Sequence, residues 1–434
     1  MQQFKKIFSE GKSVLILGFG KEGHSTFSFL SKHFPECKVG IADQNTRIAD
    51  EEINVPLHLG KDYLQAINDY DLIIKSPGIM LRDIPESTKE KITSQADLFL
   101  REFGRQTIGI TGTKGKSTTV SLIYHLLKRT GRSALLMGNI GLPAFDFLEK
   151  IRKNDLIVYE LSAHQLEFVH SSPHIAVLLN LFPEHLDYFG TFERYKKAKL
   201  NIFRFQRTKD YVFCGEEFSG IMPSCETPAD MEQKLKTVSG GKFYPGELLK
   251  HAGLKGNHNL KNILLAFKVV NRLGIPLSVL PVALSHFKTL PHRLEYVGHF
   301  GGIDFYNDSI STVPQSTMAA VKSVGPVDVL ILGGFDRGLD YSGLVDFLIG
   351  TDIKNFFFLG KAGERMLRLF NARDNNKNLY PVDDLATIFR QLQSLLQVSC
   401  CLLSPAAASY DQFHNFEHRG DLFKKLAGEF LMDK

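Results

Sequence analysis

The chain has 434 residues, of which 43% are hydrophobic and 23% are charged. This balance is ordinary for a globular protein and excludes a disordered, collagen-like or coiled-coil chain. Lysine and arginine number 52 against 47 aspartate and glutamate, a net charge of +5. Such a small excess does not indicate a nucleic-acid binder, although it is compatible with anionic small substrates. At about 150 residues per domain, the length suggests roughly three domains.

The cysteines and the N-terminal sequence indicate the cellular compartment of the protein. The five cysteines are odd in number and include no CxxC pair, so we expect neither a disulfide framework nor a zinc site, and favour a reducing compartment. The first apolar run, residues 14–17, is a short strand pattern rather than a signal peptide. No apolar run reaches the length of about 18 residues that a membrane helix needs. We therefore expect a cytoplasmic protein without a membrane span.

Short apolar, β-branched runs alternate with helical patterns along the chain, which predicts α/β domains with parallel sheets. The predicted strands cover residues 14–17, 38–42, 56–59, 72–75, 107–111, 156–160, 175–180, 329–332, 355–359 and 400–403. The stretch 219–241 is rich in Ser, Pro, Gly and charge, and is predicted to be a surface excursion.

A glycine-rich turn follows the first predicted strand. Gly18, Gly20 and Gly23 form a GxGxxG pattern between a strand and a helix, which lets backbone N–H groups approach an anion at the helix N-terminus. Asp43 ends the next strand, where a dinucleotide fold places the acid that binds a ribose. The pattern indicates a nucleotide-diphosphate site and taken alone would suggest NAD. The alternative is a turn that binds no ligand.

A second turn has the sequence TGTKGKST over residues 111–118, again between a strand and a helix. Lys116 would reach the β- and γ-phosphates of ATP, and the hydroxyl of Ser117 would bind Mg²⁺. The turn is not a strict Walker A sequence, because its first glycine is Gly112 and residue 110 is isoleucine. Strand, loop and helix nevertheless agree with one another, so we predict ATP binding rather than a chance match.

Two candidate metal ligands follow the next apolar strands. Glu160 ends the strand at 156–160, where P-loop folds place an acid on Mg²⁺. Its alternative role is to cap the following helix. His185 follows the strand at 175–180 and could contact metal or substrate, or have a structural role.

Lys199 lies on the apolar face of a predicted helix over residues 192–203. It is four residues after Tyr195 and three before Ile202, so the three side chains share a face. Burial there would lower the pKa of the ammonium group and leave an amine able to react. The alternative is a lysine whose stem follows apolar surface while its charge reaches water. The pattern leaves both open.

Nine motifs resemble those of the Mur ligases, occur in the same order, and span the whole chain. They are TGTKGKST, ELSAHQLE, NLFPEHLD, YKKAKLNIF, GNHNLKN, LPHRLE, NDSIST, GGFDRGLDYS and LSPAAASYDQFHNFEHRG. The last two, with the GFGKEG turn, are similar to the branch of the family that adds D-glutamate to UDP-N-acetylmuramoyl-L-alanine in peptidoglycan precursor synthesis. The resemblance implies ADP-forming amide synthesis through an acyl phosphate.

The resemblance also implies an α/β fold of three domains. A Rossmann-like N-terminal domain over residues 1–101 would bind the UDP substrate. A central P-loop ATPase domain with a mostly parallel sheet would cover residues 102–296. A Rossmann-like C-terminal domain over residues 297–434 would bind the amino acid.

Site residues are carried over by position. The positions matching ATP contacts are Gly112, Thr113, Lys114, Gly115, Lys116, Ser117, Thr118, Asn259, Asn262, Arg293 and Asp308. Two Mg²⁺ ions would be held by Ser117, Glu160, His185 and Lys199, the lysine being carbamylated by CO2, and the catalytic candidates are Lys116, His185 and Lys199. The UDP-substrate positions are Lys21, Glu22, Asp43, Gln44, Ser76, Gly78 and Asn139, and the D-glutamate positions are Thr312, Arg337, Ser409, Tyr410 and Phe416.

Other functions are compatible with parts of the sequence. Another Mur-type or folylpolyglutamate-type ligase would share the central ATPase, whereas a nicotinamide dehydrogenase would leave the second turn and Lys199 unexplained. A non-enzymatic nucleotide-binding regulator would not need Lys116, Glu160 and Lys199 together. We expect a monomer that acts on small molecules, with neither nucleic acid nor membrane as partner. Ile310 and Arg337 stand where relatives commonly carry lysine.

Overall fold

The computed structural model describes residues 2–8, 11–46, 48, 53–82, 84–138, 143–218, 225–227, 229–238, 244–254, 257–285, 287 and 291–430. The chain forms two compact units, Met1–Lys288 and Thr289–Lys434. The described residues contain two sheets in the first unit and one in the second. The predicted α/β class is confirmed, and the three domain boundaries stay predictions.

The first sheet is parallel and carries the GxGxxG turn. Its strands are β1 Ser13–Leu17, β2 Lys38–Asp43, β3 Leu57–Leu59, β4 Leu72–Lys75 and β5 Ile92–Thr93. Its helices are α1 Gln2–Ile7, α2 Lys21–His33, α3 Glu86–Lys89 and α4 Gln95–Phe103. The strand order β3-β2-β1-β4-β5 is that of a Rossmann fold, in which ligands bind beyond the carboxyl end of β1.

The second sheet of the first unit is also parallel. Its strands are β6 Thr107–Thr111, β7 Ala134–Gly138, β8 Leu156–Glu160, β9 Ile175–Leu178, β10 Tyr211–Cys214 and β11 Cys225–Glu226. The helices are α5 Lys116–Arg129, α6 Ala163–Leu166, α7 Leu186–Phe189, α8 Phe192–Arg204, α9 Ala229–Val238, α10 Pro245–His251, α11 Asn257–Arg272 and α12 Leu280–Leu284. The order is β11-β10-β9-β6-β8-β7, so β6 lies between β8 and β9. The segments that follow these three strands therefore meet at one edge of the sheet.

The core of this part forms where α5 and α11 pack together on the sheet. Ile123 and Leu127 on α5 and Phe267 on α11 belong to the same buried cluster. The cluster also includes Met231 and Leu235 of α9, which corrects the prediction of a surface excursion at 219–241. The two side chains are one helical turn apart and so share a face. Residues 219–224, 228 and 239–241 lie outside the described ranges.

A disulfide joins Cys214 at the end of β10 to Cys225 at the start of β11. This disulfide was not expected from the sequence, since the cysteine count is odd and no CxxC pair is present. The two strands are hydrogen-bonded neighbours, which brings the Cα atoms to 6.1 Å, within the range of a disulfide. Cys37, Cys400 and Cys401 are free thiols.

The second unit contains one mixed sheet. Its strands are β12 Glu295–Phe300, β13 Ile303–Asn307, β14 Val329–Gly333, β15 Asn355–Leu359, β16 Asn378–Val382 and β17 Cys400–Leu403. The helices are α13 Pro314–Val324, α14 Ser342–Ile349, α15 Gly360–Asn371, α16 Leu385–Leu392 and α17 Phe416–Gly428. The order is β12-β13-β17-β14-β15-β16, and only the β12–β13 hairpin pairs antiparallel. Apolar clusters cover both faces of the sheet.

Short 3₁₀ helices occur in the first unit at Tyr63–Asp69, Gly104–Gln106, Ala144–Lys150, Glu216–Phe218 and Leu277–Val279. Among the helices of the described ranges, none combines the length and apolarity required to span a bilayer.

Candidate active site

The TGTKGKST turn connects β6 to α5, and its Lys116 side chain donates hydrogen bonds to carbonyl groups of the same turn. Gly115, just before the helix, has φ +82°, a left-handed conformation that favours glycine. The Lys116 Nζ donates to the carbonyl oxygens of Gly112 at 2.9 Å and Thr113 at 3.0 Å. The amine therefore lies beside the backbone of the loop, where the lysine of a P-loop contacts phosphate.

The segment after β9 holds the other side of the loop. The Lys114 N–H donates to Asn180 Oδ1 at 2.8 Å, and the Asn180 amide donates back to the Lys114 carbonyl at 3.0 Å. The hydroxyl of Thr113 accepts from the Phe182 N–H and from the Tyr195 hydroxyl, both at 3.0 Å. These bonds join the loop to α8 and leave its helix N-terminus free of a side-chain cap.

Lys199 on α8 is 1% exposed, so the amine lies inside the protein rather than in water. Its Nζ donates to the Gly112 carbonyl at 2.7 Å and to Thr111 Oγ1 at 3.3 Å. Burial, and then the charge of Lys116, hold the pKa of the Lys199 amine well below its ordinary value. The carboxylates of Glu184 and Glu160 act in the opposite sense.

The acids beside the loop supply hard oxygen donors. Glu160 is fully buried at the end of β8, in register with Ile110 of β6. Ser117 is buried in the first turn of α5, and Glu184 forms an ion pair with Lys114. Hydroxyl and carboxylate oxygens are the ligands that Mg²⁺ prefers when it is shared with phosphates, so these residues fit that ion. In the described ranges, no three His, Cys, Asp or Glu side chains form a metal site of their own.

One cavity of about 340 Å³ opens beside these groups in the first unit. It is lined by Pro77, Gly78, Lys116, Ser162, Ala163, His164, His185, Tyr195 and Lys199. The structure thus brings together Gly78, Lys116, His185 and Lys199, which the sequence had assigned to different ligands. Ser162, Ala163 and His164 were not assigned, although they belong to the ELSAHQLE motif and that motif was the available signal.

His185 is the N-cap residue just before the short helix α7 and has a left-handed conformation, φ 55°, which is uncommon for a residue with a Cβ. Its ring lies 4.9 Å from that of His164 and 6.2 Å from that of Tyr195, measured between centroids. The imidazole is half-exposed at 49%. It is therefore accessible from the cavity, as a ligand or substrate contact needs to be.

At the GxGxxG turn, Asp43, the acid predicted to bind a ribose, accepts a hydrogen bond from the backbone of the turn. The Asp43 carboxylate accepts from the Phe19 N–H at 2.6 Å and from the Asn45 N–H at 2.7 Å. Ser76 Oγ donates to the Gly18 carbonyl at 2.7 Å. Asp43 and Ser76 thus shape the turn. The candidates Lys21 and Gln44 at this end are both exposed.

Glu22 is partly buried instead of facing solvent. Its carboxylate accepts from Gln165 Nε2 at 2.8 Å. Burial raises the pKa of the Glu22 carboxyl, against the effects of this hydrogen bond and of the Lys75 charge. Its predicted contact with the UDP substrate therefore competes with an internal partner.

Lys75 is 2% exposed, although the sequence identified it only as the end of a strand. Its Nζ donates to the Tyr188 hydroxyl at 2.9 Å and pairs with Glu167 at 3.3 Å. Burial lowers the pKa of the Lys75 amine, while Glu167 opposes the shift. Because Tyr188 lies on α7 and also donates to the Ile79 carbonyl, Lys75 ties the Ser76–Gly78 turn to the helix that follows His185.

The remaining ATP candidates are distributed over both units. Asn262 is buried against Gly115 and donates to Asn259 Oδ1 at 3.3 Å, while Thr118 lies in the first turn of α5. Arg293 and Asp308 lie in the second unit, and their contacts with ATP stay predictions. Asn139 lies outside the described residues.

The five D-glutamate candidates all lie on segments around the carboxyl ends of β13, β14 and β17. Arg337 donates to the Thr312 carbonyl at 2.9 Å. Ser409 is buried, Tyr410 is exposed beside Phe335, and Phe416 begins α17. These loops therefore present a guanidinium, a hydroxyl and an aromatic ring at one edge of the sheet.

Comparison with known proteins gives the family. The model of the Mur ligase middle domain matches residues 110–219, and that of the MurD-like N-terminal domain of Mur ligases matches residues 12–92. The UDP-N-acetylmuramoylalanine–D-glutamate ligase of Clostridium kluyveri is 32% identical over 455 residues, which cover 98% of both chains. The ligase of the same name from Clostridium tetani is 33% identical and also covers 98% of both. The chain belongs to the Mur ligase family.

Solved structures agree with this fold. UDP-N-acetylmuramate–alanine ligase MurC of Thermotoga maritima has a TM-score of 0.52 at 19% identity, over 96% of this chain and 99% of the other. The MurF ligase of Thermotoga maritima in complex with ADP has a TM-score of 0.52 at 17% identity, over 97% and 96%. These identities support the fold alone. As its family membership and near-complete match to named ligases imply, this Mur ligase is an ATP-dependent enzyme that forms amide bonds.

Two left-handed glycines that flank α5, one at each end, allow a matched test of the loop. Gly115→Ala and Gly131→Ala are each expected to cost about 1–2 kcal/mol of unfolding free energy, because both glycines have φ near +80°. A Cβ on Gly115 would lie 3.0 Å from the Asn262 amide, whereas one on Gly131 would meet nothing within 4 Å. We expect only Gly115→Ala to raise the KM for ATP, by roughly tenfold or more. Equal ATP kinetics in the two variants would contradict this role of the loop.

Asp308 makes the stability of the second unit depend on pH. Its carboxylate accepts from Ser404 Oγ at 2.7 Å and from the Leu294 N–H at 3.1 Å, and burial raises the pKa of Asp308 to about 6 from 3.8. The folded state therefore holds this proton more tightly, and stability falls as pH rises from about 4 to about 6, by on the order of 3 kcal/mol.

Asp308→Asn removes this titration. We expect its melting temperature to exceed that of the wild type at pH 7.5, and the two proteins to converge at pH 4, where Asp308 is protonated. Thermal unfolding at the two pH values measures the difference. An equal difference at both would contradict the assignment.

Proposed function

We propose that this Mur ligase joins D-glutamate to UDP-N-acetylmuramoyl-L-alanine and converts ATP to ADP and phosphate. The observation that carries the proposal is that Lys116, His185, Lys199 and Gly78 line the same cavity. A phosphate-binding loop, a buried amine and the turn after β4 share this space. The near-complete match to ligases named for D-glutamate addition supports the choice of amino acid.

The chemistry requires activation, because a carboxylate is a poor electrophile. A carboxylate oxygen of the alanine would attack the γ-phosphorus of ATP, forming a P–O bond as the bond to ADP breaks. The D-glutamate amine would then attack the carbonyl carbon of the acyl phosphate. A C–N bond forms, the C–O bond to phosphate breaks, and the amine loses a proton to solvent or a nearby base.

Charge on the phosphates is the main electrostatic demand of this reaction. Lys116 and Lys114 would contact the phosphates, together with the N–H groups of Gly112, Gly115 and Thr118, whereas the Thr113 N–H already donates to the Asn180 carbonyl at 3.0 Å. Ser117 and Glu160 would hold one Mg²⁺, and His185 with Lys199 would help to hold a second. Bound Mg²⁺ would supply positive charge to the phosphoryl oxygens.

The surroundings of Lys199 support the proposal that it is carbamylated. An amine whose pKa is lowered by burial is neutral more often and can attack CO2, forming an N–C bond and releasing one proton. The product is an anion, which would suit a position beside the Lys116 ammonium better than a second ammonium does. We therefore propose that Lys199 acts as a carbamate.

The other proposed contacts follow the sequence positions. Lys21, Glu22, Asp43, Gln44, Ser76, Gly78 and Asn139 would bind the UDP substrate, and Asn259, Asn262, Arg293 and Asp308 would complete the ATP site. Thr312, Arg337, Ser409, Tyr410 and Phe416 would bind D-glutamate, with the Arg337 guanidinium able to grip a carboxylate in two places. The enzyme would act as a cytoplasmic monomer with domains over residues 1–101, 102–296 and 297–434.

Phosphate release by the purified protein tests the function. With ATP, Mg²⁺ and UDP-N-acetylmuramoyl-L-alanine, we expect release only after D-glutamate is added, and not with L-glutamate or L-alanine. Mass spectrometry of the product should show one added glutamyl residue. Turnover with a different amino acid would assign the chain to another Mur-type ligase, and NAD-dependent activity without ATP turnover would overturn the proposal.

A further inference from the structure

Arg419, in the first turn of α17, is a large buried side chain that the proposed chemistry does not use. It is 1% exposed. Its guanidinium donates to Ser309 Oγ at 3.0 Å and to the carbonyl oxygens of Ser309, Ala407, Ala408 and Gly333 at 2.9, 3.1, 3.2 and 3.4 Å. Five hydrogen bonds thus connect one side chain to three separate segments.

All five acceptors are neutral oxygens. Burial lowers the pKa of Arg419 to about 10, and the charge of Asp411 opposes the shift. A buried cation is costly unless its donors are satisfied, and here hydrogen bonds to a hydroxyl and to carbonyl groups satisfy them. The guanidinium is suited to this role because it spreads five N–H donors over a rigid plane.

The segments that Arg419 joins are those proposed to bind the amino acid. Ser309 precedes Thr312, Gly333 precedes Arg337, and Ala408 adjoins Ser409. The Ser309 hydroxyl also donates to the Phe416 carbonyl at 2.8 Å, so the start of α17 joins the same network. Each proposed D-glutamate contact is thus within a few residues of an oxygen that this network holds.

Packing around the guanidinium leaves little freedom. A Cβ on Gly334 would lie 2.2 Å from the Ala408 carbonyl oxygen and 3.0 Å from Arg419 Nη1. The backbones after β14 and β17 therefore approach as closely as a glycine permits. The hydrogen bonds of Arg419 therefore have a defined geometry. A side chain with fewer donors would lose its hydrogen bonds to at least one of the three segments.

We propose that Arg419 is a positioning residue for the amino-acid substrate, holding the segments 309–312, 333–337 and 406–410 in the geometry that binds the carboxylates of D-glutamate. The identity of the ligand rests on the proposed function, whereas the coupling of the three segments does not. The positive charge beneath them also favours an anionic ligand.

Kinetics of Arg419→Lys provide the first test, with Lys425→Met as the control. Lysine keeps the charge but has three donors in place of five, and Lys425 is an exposed cation on the same helix. We expect the KM for D-glutamate to rise roughly tenfold or more in Arg419→Lys, with the KM values for ATP and the UDP substrate within twofold of wild type. An unchanged KM for D-glutamate, or an equal rise in all three, overturns the proposal.

Hydrogen–deuterium exchange is the second test and needs no activity. In Arg419→Lys, we expect faster exchange in segments 309–312, 333–337 and 406–410, and unchanged exchange in residues 329–332 of β14 and in β15. Faster exchange throughout the second unit would mean a merely structural role and would overturn the proposal. Should this variant fail to fold, Ser309→Ala, which removes one acceptor, should show the same pattern more weakly, and its absence would equally overturn the proposal.

The two tests separate the inference from the proposed function. A wild-type enzyme that does not use D-glutamate would refute the function, while the exchange pattern would still decide whether Arg419 couples the segments. A wild type that uses D-glutamate, combined with unaltered variants, would refute the inference alone.

Discussion

Lys199→Ala is expected to lower the rate of amide synthesis by roughly 10²- to 10³-fold, while ATP still binds. The magnitude is that of removing one preorganised electrostatic group from an active site. Lys199 Nζ lies 2.7 Å from the Gly112 carbonyl, so its loss would remove a charge beside the phosphate loop. Initial rates of phosphate release and equilibrium binding of ADP would measure the two effects separately.

Lys197→Ala is the matched control, because Lys197 lies two residues earlier on α8 and is exposed. We expect its activity to equal that of the wild type. Acetate or another short carboxylic acid should partly restore Lys199→Ala, since it supplies the carboxylate of the proposed carbamate. Undiminished activity of Lys199→Ala would refute the metal-carbamate role, and a dead variant that carboxylic acids do not rescue would refute the carbamate itself.

Lys116→Met is expected to lower kcat by roughly 10²- to 10³-fold and to raise the KM for ATP. Methionine keeps the length of the side chain and removes the ammonium group that lies over the Gly112 and Thr113 carbonyls. The developing charge on the transferred phosphoryl group would then lose its nearest cation. ADP formation under saturating UDP substrate and D-glutamate measures the change.

Lys128→Met on the same helix provides the control, since Lys128 is exposed near the end of α5. We expect it to retain wild-type kinetics and stability. If Lys116→Met kept full activity, the loop after β6 would not be the phosphate site, and the assignment of the neighbouring residues would fail with it.

Local pattern predicted much of the fold. The bounds predicted for the strands at 72–75, 156–160, 355–359 and 400–403 agree with β4, β8, β15 and β17. These runs are apolar, short and followed by residues that end strands, so neighbouring side chains carry the necessary information. The α9 helix was missed because its flanks are rich in turn residues and, among its described side chains, two are buried, Met231 and Leu235.

The turn after β6 was predictable because its residues are consecutive in the sequence. Gly112, Lys116 and Ser117 belong to one turn, and the turn geometry follows from the residue types. Lys75 gave no such signal, because its partners Glu167 and Tyr188 are about a hundred residues away in the chain. The same holds for Arg419, whose contacts run from residue 309 to residue 408.

By itself, the sequence determined the α/β class, the two glycine-rich turns between a strand and a helix, and the family, since each depends on neighbouring residues or on motifs in order. Only the tertiary structure decided whether Lys199 is buried or reaches water, that Asp43 holds the GxGxxG turn, and that Cys214 meets Cys225. Each of these depends on which strands lie side by side. Strand neighbours are chosen by the packing of the whole sheet, which no local stretch of residues encodes.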